Sequence, residues 1–119
     1  MAKGDDLEAR LIDFAVSVIR ISEALPGTPA YRHIRGPLLR SCTSPAPNYA
    51  EARGAESNRD FIHKLKIALK ELNESRVWLK MLIRSEIVTA RQVADALEEC
   101  EQLCRIISAS IRTSRQSNK

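Results

Sequence analysis

Apolar residues recur along the chain at spacings of three and four, and that period predicts helices throughout. Leu7, Leu11, Phe14, Ala15, Val18, Ile21 and Leu25 form one stripe of a first helix, with Asp5 or Asp6 as the expected cap. Pro26-Gly27-Thr28-Pro29 ends it with two breakers in four residues. A second helix starts near Ala30 or Tyr31 and carries Ile34, Leu38 and Leu39. Pro37 interrupts its middle, and Pro45 and Pro47 interrupt its continuation. Proline lacks the amide donor and crowds the preceding turn, so residues 30–53 are expected to be kinked or broken around 42–47 and to restart at Pro47-Asn48.

The third helix has the clearest start. Ser57 is a good N-cap, and Asp60 stands three residues later, where an acid suits the helix dipole. Phe61, Leu65, Ala68, Leu72, Leu79 and Leu82 then repeat, while Ile62, Leu69, Val77 and Ile83 widen the stripe until two faces are covered. The pattern runs to about Arg84. Thr89 and Gln92 form a second capping box, which opens a fourth helix with Val93, Ala96, Leu97, Cys100, Leu103, Cys104, Ile107 and Ile111 on its stripe. Residues 114–119 read as a frayed polar tail. No segment alternates with the strand period. Long amphipathic helices joined by short connections predict an all-α, up-down antiparallel four-helix bundle, with residues 1–119 as one domain.

Composition sharpens this picture in two places. Aromatic residues are only 4% of the chain, so the core must interlock Leu, Ile, Val and Ala, and few stacking platforms exist for bases. The net charge of +4 is unevenly placed. Lys64, Lys66, Lys70, Arg76, Lys80 and Arg84 fall on the third helix, Arg112, Arg115 and Lys119 near the end, and Glu98, Glu99 and Glu101 between them. Arg59, Lys66, Lys70, Arg76, Lys80 and Arg84 are therefore the candidate phosphate contacts. The competing reading is a solvated face on which Glu71 and Glu74 make i,i+3 or i,i+4 pairs to Lys70 and Lys80 or their neighbours.

Candidate chemistry is thin. Cys100 and Cys104 stand one turn apart and read as buried apolar thiols, since zinc sites use closer pairs and a second pair. Asp60-x-x-His63 is half of a bundle-type metal motif, but His33, the other histidine, has Ala30 where the acid would be. There is no glycine-rich phosphate loop, and no nucleophile with a positioned base. No enzyme activity, metal or cofactor is expected. Three cysteines without a framework, the lack of a leader-like hydrophobic region at Met1–Asp6, and no apolar run near the roughly 20 residues that span a bilayer predict a cytoplasmic protein with no membrane partner.

The stretch LLRSCTSPAPNYAEARGAESNRDFIHKLKIALKELNES resembles the four-helix-bundle family of the protein encoded in intervening sequences of bacterial 23S ribosomal RNA genes, also called the S23 ribosomal protein family. Arg40, Thr43, Asn48, Tyr49, Glu51, Glu56, Ser57 and Asp60 match its motif, as do Trp78-Leu79 and Leu7-Glu8-x-Arg10-Leu11. The resemblance implies a ring-like homopentamer with no known catalysis. It also implies kinship with the accessory protein of diversity-generating retroelements, hence RNA or DNA and a nucleic-acid-processing protein as partners. Pro45-Ala46-Pro47 departs from the family, which more often has a single proline or glycine there. The motif residues are expected to serve structure and assembly: Thr43, Ser44 and Asn48 by bonding backbone groups freed by the prolines, and Glu51 and Glu56 by pairing with Arg40, Arg53 or Lys66. Leftover apolar positions on the third and fourth helices would lie at subunit boundaries.

Overall fold

The computed structural model describes residues 2–86 and 90–117. The chain is all-α, and no strand occurs among the described residues. Its helices are α1 (Asp5–Ala24), α2 (Pro29–Thr43), α3 (Pro45–Arg53), α4 (Asn58–Ser85) and α5 (Ala90–Ser117). Ser44 alone separates α2 from α3, and its backbone is still right-handed helical (φ −75°, ψ −36°), so the two segments are one interrupted helix. The molecule measures 50 × 24 × 22 Å, a length set by the two 28-residue helices at about 1.5 Å per residue.

Helix ends follow local chemistry with one exception. Leu25 is extended, as the residue before a proline prefers to be, and α1 stops there. Arg35 of α2 then donates to the Ser22 and Leu25 carbonyls at 3.1 and 2.9 Å, adding a second donor to Ser22, which also accepts from the Leu25 amide, and tying the end of α1 to α2. Pro29 occupies the first turn of α2, where its missing amide costs nothing. Ser57 Oγ accepts from the Asp60 amide at 3.0 Å, the expected cap of α4. The exception is α1. Its N-cap is Gly4 and not Asp5 or Asp6, and no side chain caps it. Asp5 instead accepts from Arg53 (2.8 Å) and the Ala2 amide (2.8 Å). Gly4 has φ +94°, and a Cβ there would fall 2.7 Å from the Tyr49 hydroxyl, so both conformation and space require glycine.

Two further expectations are corrected. The last helix continues through Ser117, so residues 114–117 are not a frayed tail; Asn58 Nδ2 holds the Ser114 carbonyl at 2.8 Å and ties that turn to the start of α4. The restart after the break comes at Pro45, two residues before Pro47. The capping box at Thr89 lies outside the described residues.

Packing joins α4 most closely to α5 and to α3, while α1 lies against α2, α5 and α3. Among the described residues α1 and α4 do not approach one another; they face across the core. That core contains Leu11, Phe14, Val18 and Ile21 of α1, Leu38 and Cys42 of α2, Leu65, Leu72, Leu79 and Leu82 of α4, and Leu103 and Ile107 of α5. Its buried hydroxyls are mostly partnered: Ser75 Oγ donates to Ser41 Oγ (2.9 Å), which donates to the Leu38 carbonyl (3.2 Å). Val77, expected on a covered face, is instead 44% exposed. The other large apolar residues exposed among those described are Ile12, Val16 and Met81, so the uncovered positions lie on α1 and α4 and not on α5.

Candidate nucleic-acid interface

The basic residues of α4 recur with the helical period on the side turned away from the core. Arg59, Lys66, Lys70 and Arg84 are exposed, and Arg76 and Lys80 are half-buried. None of the six enters an ion pair among the described residues. The glutamates expected to neutralise them are engaged elsewhere. Arg40 of α2 binds Glu71 at 2.9 Å and also pairs with Glu74, which further accepts from Trp78 Nε1 at 3.1 Å. The expected pairing of Glu71 and Glu74 with Lys70, Lys80 or their neighbours on the same helix is therefore overturned: an arginine from the neighbouring helix reaches both carboxylates in a fork geometry that a lysine does not offer.

The motif residues around the prolines act as fasteners. Thr43 Oγ1 donates to the Leu39 carbonyl (2.6 Å), and Asn48 Nδ2 donates to the Ser44 carbonyl and hydroxyl (both 3.0 Å). The carbonyls deprived of a helical donor by Pro45 and Pro47 are those of Ser41 and Thr43, so these side chains brace the adjoining acceptors and not the freed ones. Tyr49 is buried beside Arg53, which bridges to Asp5 and Glu8 (2.8 and 3.1 Å) and pins the start of α1 to α3. Glu51 lies 3.6 Å from Lys64, a partner not anticipated, and Glu56 is exposed with no ion pair among the described residues. Ser57 and Asp60 belong to the α4 cap.

These pairs set an acid response. Hydrogen bonds from Arg40 and then Trp78 hold the Glu74 carboxyl below its ordinary value, and Arg53 does the same to Asp5. A depressed folded-state value means that the stabilisation is complete above the ordinary carboxylate range, near pH ~4, and is lost as pH falls through the lowered values. Arg40→Gln is expected to be modestly less stable than the parent at pH 7, with the gap closing in acid. Urea midpoints at neutral and acid pH measure it; a gap unchanged in acid would contradict the assignment.

α5 adds residues that the sequence reading left out of the interface. Arg112 and Arg115 stand one turn apart and meet α4 across a groove of about 240 Å³ lined by Lys66, Leu69, Ser108, Ile111, Arg112 and Arg115. The helical period continued past Thr113 places Arg115 one turn beyond Arg112 on the same helix. Arg59 and His63 line the adjoining hollows, one with Ile62 and Lys66, the other with Ser57 and Asp60. The seam between α1 and α5 is opposite in character: Asp13, Asp95 and Glu99 line a hollow of about 370 Å³, and Arg10 bridges Glu99 at 2.6 Å.

The thiols sit apart from this surface chemistry. Cys42 is buried and pushed up to about 11 by desolvation. Cys100 is buried, donates to the Leu72 carbonyl at 3.2 Å, and is raised by the neighbouring Cys104 thiol and by burial. Cys104 is only half-buried, contrary to expectation, and is lowered by the neighbouring Cys100 thiol. No three His, Cys, Asp or Glu side chains converge as a metal cluster among the described residues. No described helix is long and apolar enough to cross a membrane.

Five helical segments around an aliphatic core, with a basic seam on one side, define an all-α protein whose distinctive feature is its surface charge. The chain belongs to the 23S rRNA-intervening sequence protein family, whose model matches residues 7–109. It is similar to the crystal structure of a protein with unknown function from the S23 ribosomal protein family of Bacteroides thetaiotaomicron VPI-5482. The two are 33% identical with a TM-score of 0.81 over 88% of this chain and 97% of that one. No curated protein matches the chain.

Proposed function

We propose that this chain is a noncatalytic, cytoplasmic nucleic-acid-binding protein, an up-down four-helix bundle working as a homopentameric ring, with RNA favoured over DNA. The observation that carries the reading is the α4 face: Arg59, Lys66, Lys70 and Arg84 are exposed while Arg40 occupies Glu71 and Glu74. Cations without an internal counter-charge recruit phosphates and release condensed counterions, a contribution that needs no base-specific contact. Five copies of a +4 chain carry about +20 and repeat a weak patch, so avidity raises affinity without any new contact.

Assembly rests on the uncovered apolar side chains. Ile12 and Val16 lie on α1 and Val77 and Met81 on α4, helices that face each other across the core. Two different patches on opposite helices suit a head-to-tail contact, the kind that closes into a ring. The acid-lined α1/α5 seam and the basic α4/α5 seam add charge complementarity. The same patches favour a second reading, a protein scaffold that binds no nucleic acid, or one that docks a nucleic-acid-processing protein.

Light scattering coupled to size exclusion, run with and without a mixed RNA pool, separates them. A mass of five 13.3 kDa subunits that rises with RNA at low salt and not at high salt is expected. A pentamer indifferent to RNA would favour the scaffold, and a monomer at micromolar concentration would end the ring.

A further inference from the structure

We infer that the α4/α5 seam takes single-stranded RNA, with an unstacked base on its apolar floor and the flanking phosphates on its basic rim. This rests on the nucleic-acid reading above and goes beyond it in naming the strand form and the α5 residues that recognise it.

The seam differs from the rest of the basic face. The other hollows on α4, lined by Arg59, His63 and Lys66, carry at most one apolar side chain, Ile62, and offer a phosphate contact to any nucleic acid alike. Between Lys66 and Arg112 the surface is concave and floored by Leu69 and Ile111, with the Ser108 hydroxyl beside them. Its volume of about 240 Å³ falls below the roughly 300–1,000 Å³ of drug-sized ligand sites, so it admits a group the size of one base. A duplex keeps its base faces stacked inside and offers a protein mainly phosphates and sugar hydroxyls, which leaves an apolar floor unused. A single strand can turn one base face onto that floor.

The chain has no aromatic residue in this groove, and single-strand binders ordinarily stack bases on aromatic rings. Arg112 and Arg115 answer this lack. A guanidinium plane stacks on a base as well as pairing with phosphate, and two of them one turn apart bracket the floor from the α5 side. The Asn58–Ser114 bond keeps that last stretch of α5 helical against α4, so the arginines are presented from a rod and not from a tail.

Fluorescence anisotropy with a labelled polyuridine strand, and with an RNA duplex of equal phosphate number, tests the proposal on the full chain. The single strand is expected to bind at least about tenfold more tightly, the bonus of one or more base contacts. Arg112→Gln with Arg115→Gln should weaken single-strand binding about tenfold beyond any loss in duplex binding at ~0.1 M salt, because phosphate contacts are common to both forms and base stacking is not. Both side chains are exposed, and circular dichroism and a thermal melt of the variant check that the fold persists. Equal or tighter binding of the duplex overturns the inference and leaves the nucleic-acid reading standing. So does full retention of single-strand binding by the double variant while Lys66→Glu with Lys70→Glu abolishes it. A fall in assembly mass on mutating the two arginines also overturns it, since the seam would then be a subunit boundary. Failure of both probes to bind at low salt removes this inference and the broader reading together.

Discussion

Lys66→Glu combined with Lys70→Glu is expected to cut RNA affinity on the order of a hundredfold at ~0.1 M salt and to lower the salt slope by about 1.4. Both side chains are exposed and neither is engaged in an ion pair among the described residues, so reversing them removes phosphate contacts without breaking anything internal. Two lost contacts on a single strand account for about 25-fold, and repulsion from two new carboxylates supplies the rest. In a ring each substitution is repeated in every subunit, which makes the loss steeper still. Anisotropy titrations over a salt series measure both quantities. Wild-type affinity in the double variant would sink the basic-face mechanism whatever the assembly state, and an unchanged slope would mean that these lysines never met phosphate.

The largest stability effect is expected from Leu72→Ala, at about 3 kcal/mol and on the order of 10 °C in melting temperature. Leu72 is 0% exposed on the core side of α4, and Cys100 of α5 donates its thiol to the Leu72 carbonyl at 3.2 Å. Truncation removes buried methyl groups where two long helices meet, and neighbours fixed on rigid rods collapse only partly into the gap. Urea and thermal unfolding at several protein concentrations give the number, because a melting point that rises with concentration would include the energy of assembly. A cost below about 1 kcal/mol would mean that α4 and α5 do not pack through this position.

The comparison of Glu71 with Ser57 shows where sequence reasoning ends. The Ser57 cap was legible because its partner, the Asp60 amide, is three residues away and its geometry is fixed by the helix itself. Glu71 has local candidates too, yet it bonds to Arg40, 31 residues earlier, because the bundle brings a guanidinium fork to that spot. The missed arginines fail in the same way. Arg115 reads as part of a polar tail in the sequence, yet Asn58, from another helix, holds the Ser114 carbonyl between Arg112 and Arg115 and keeps both on the helix. Gly4 as the α1 cap is likewise a tertiary outcome, forced by Tyr49 and Arg53 across the helix pair.

The sequence by itself determined the all-α class, the end of the first helix before Pro26, a break within 42–47, the Ser57 cap, the aliphatic core, the family, and the basic character of α4, whereas α2 runs through Pro37 and α3 restarts at Pro45. The family apart, each of these depends on residues within a few positions of one another, where the 3.6-residue period and cap chemistry act. Only the tertiary structure decided which carboxylates Arg40 would occupy, and hence that Lys70 and Lys80 keep their charge unpaired within the described chain. It alone placed Arg112 and Arg115 beside Lys66. Long side chains find partners according to the rotation and offset of neighbouring helices, and those are set by the packing of the whole core.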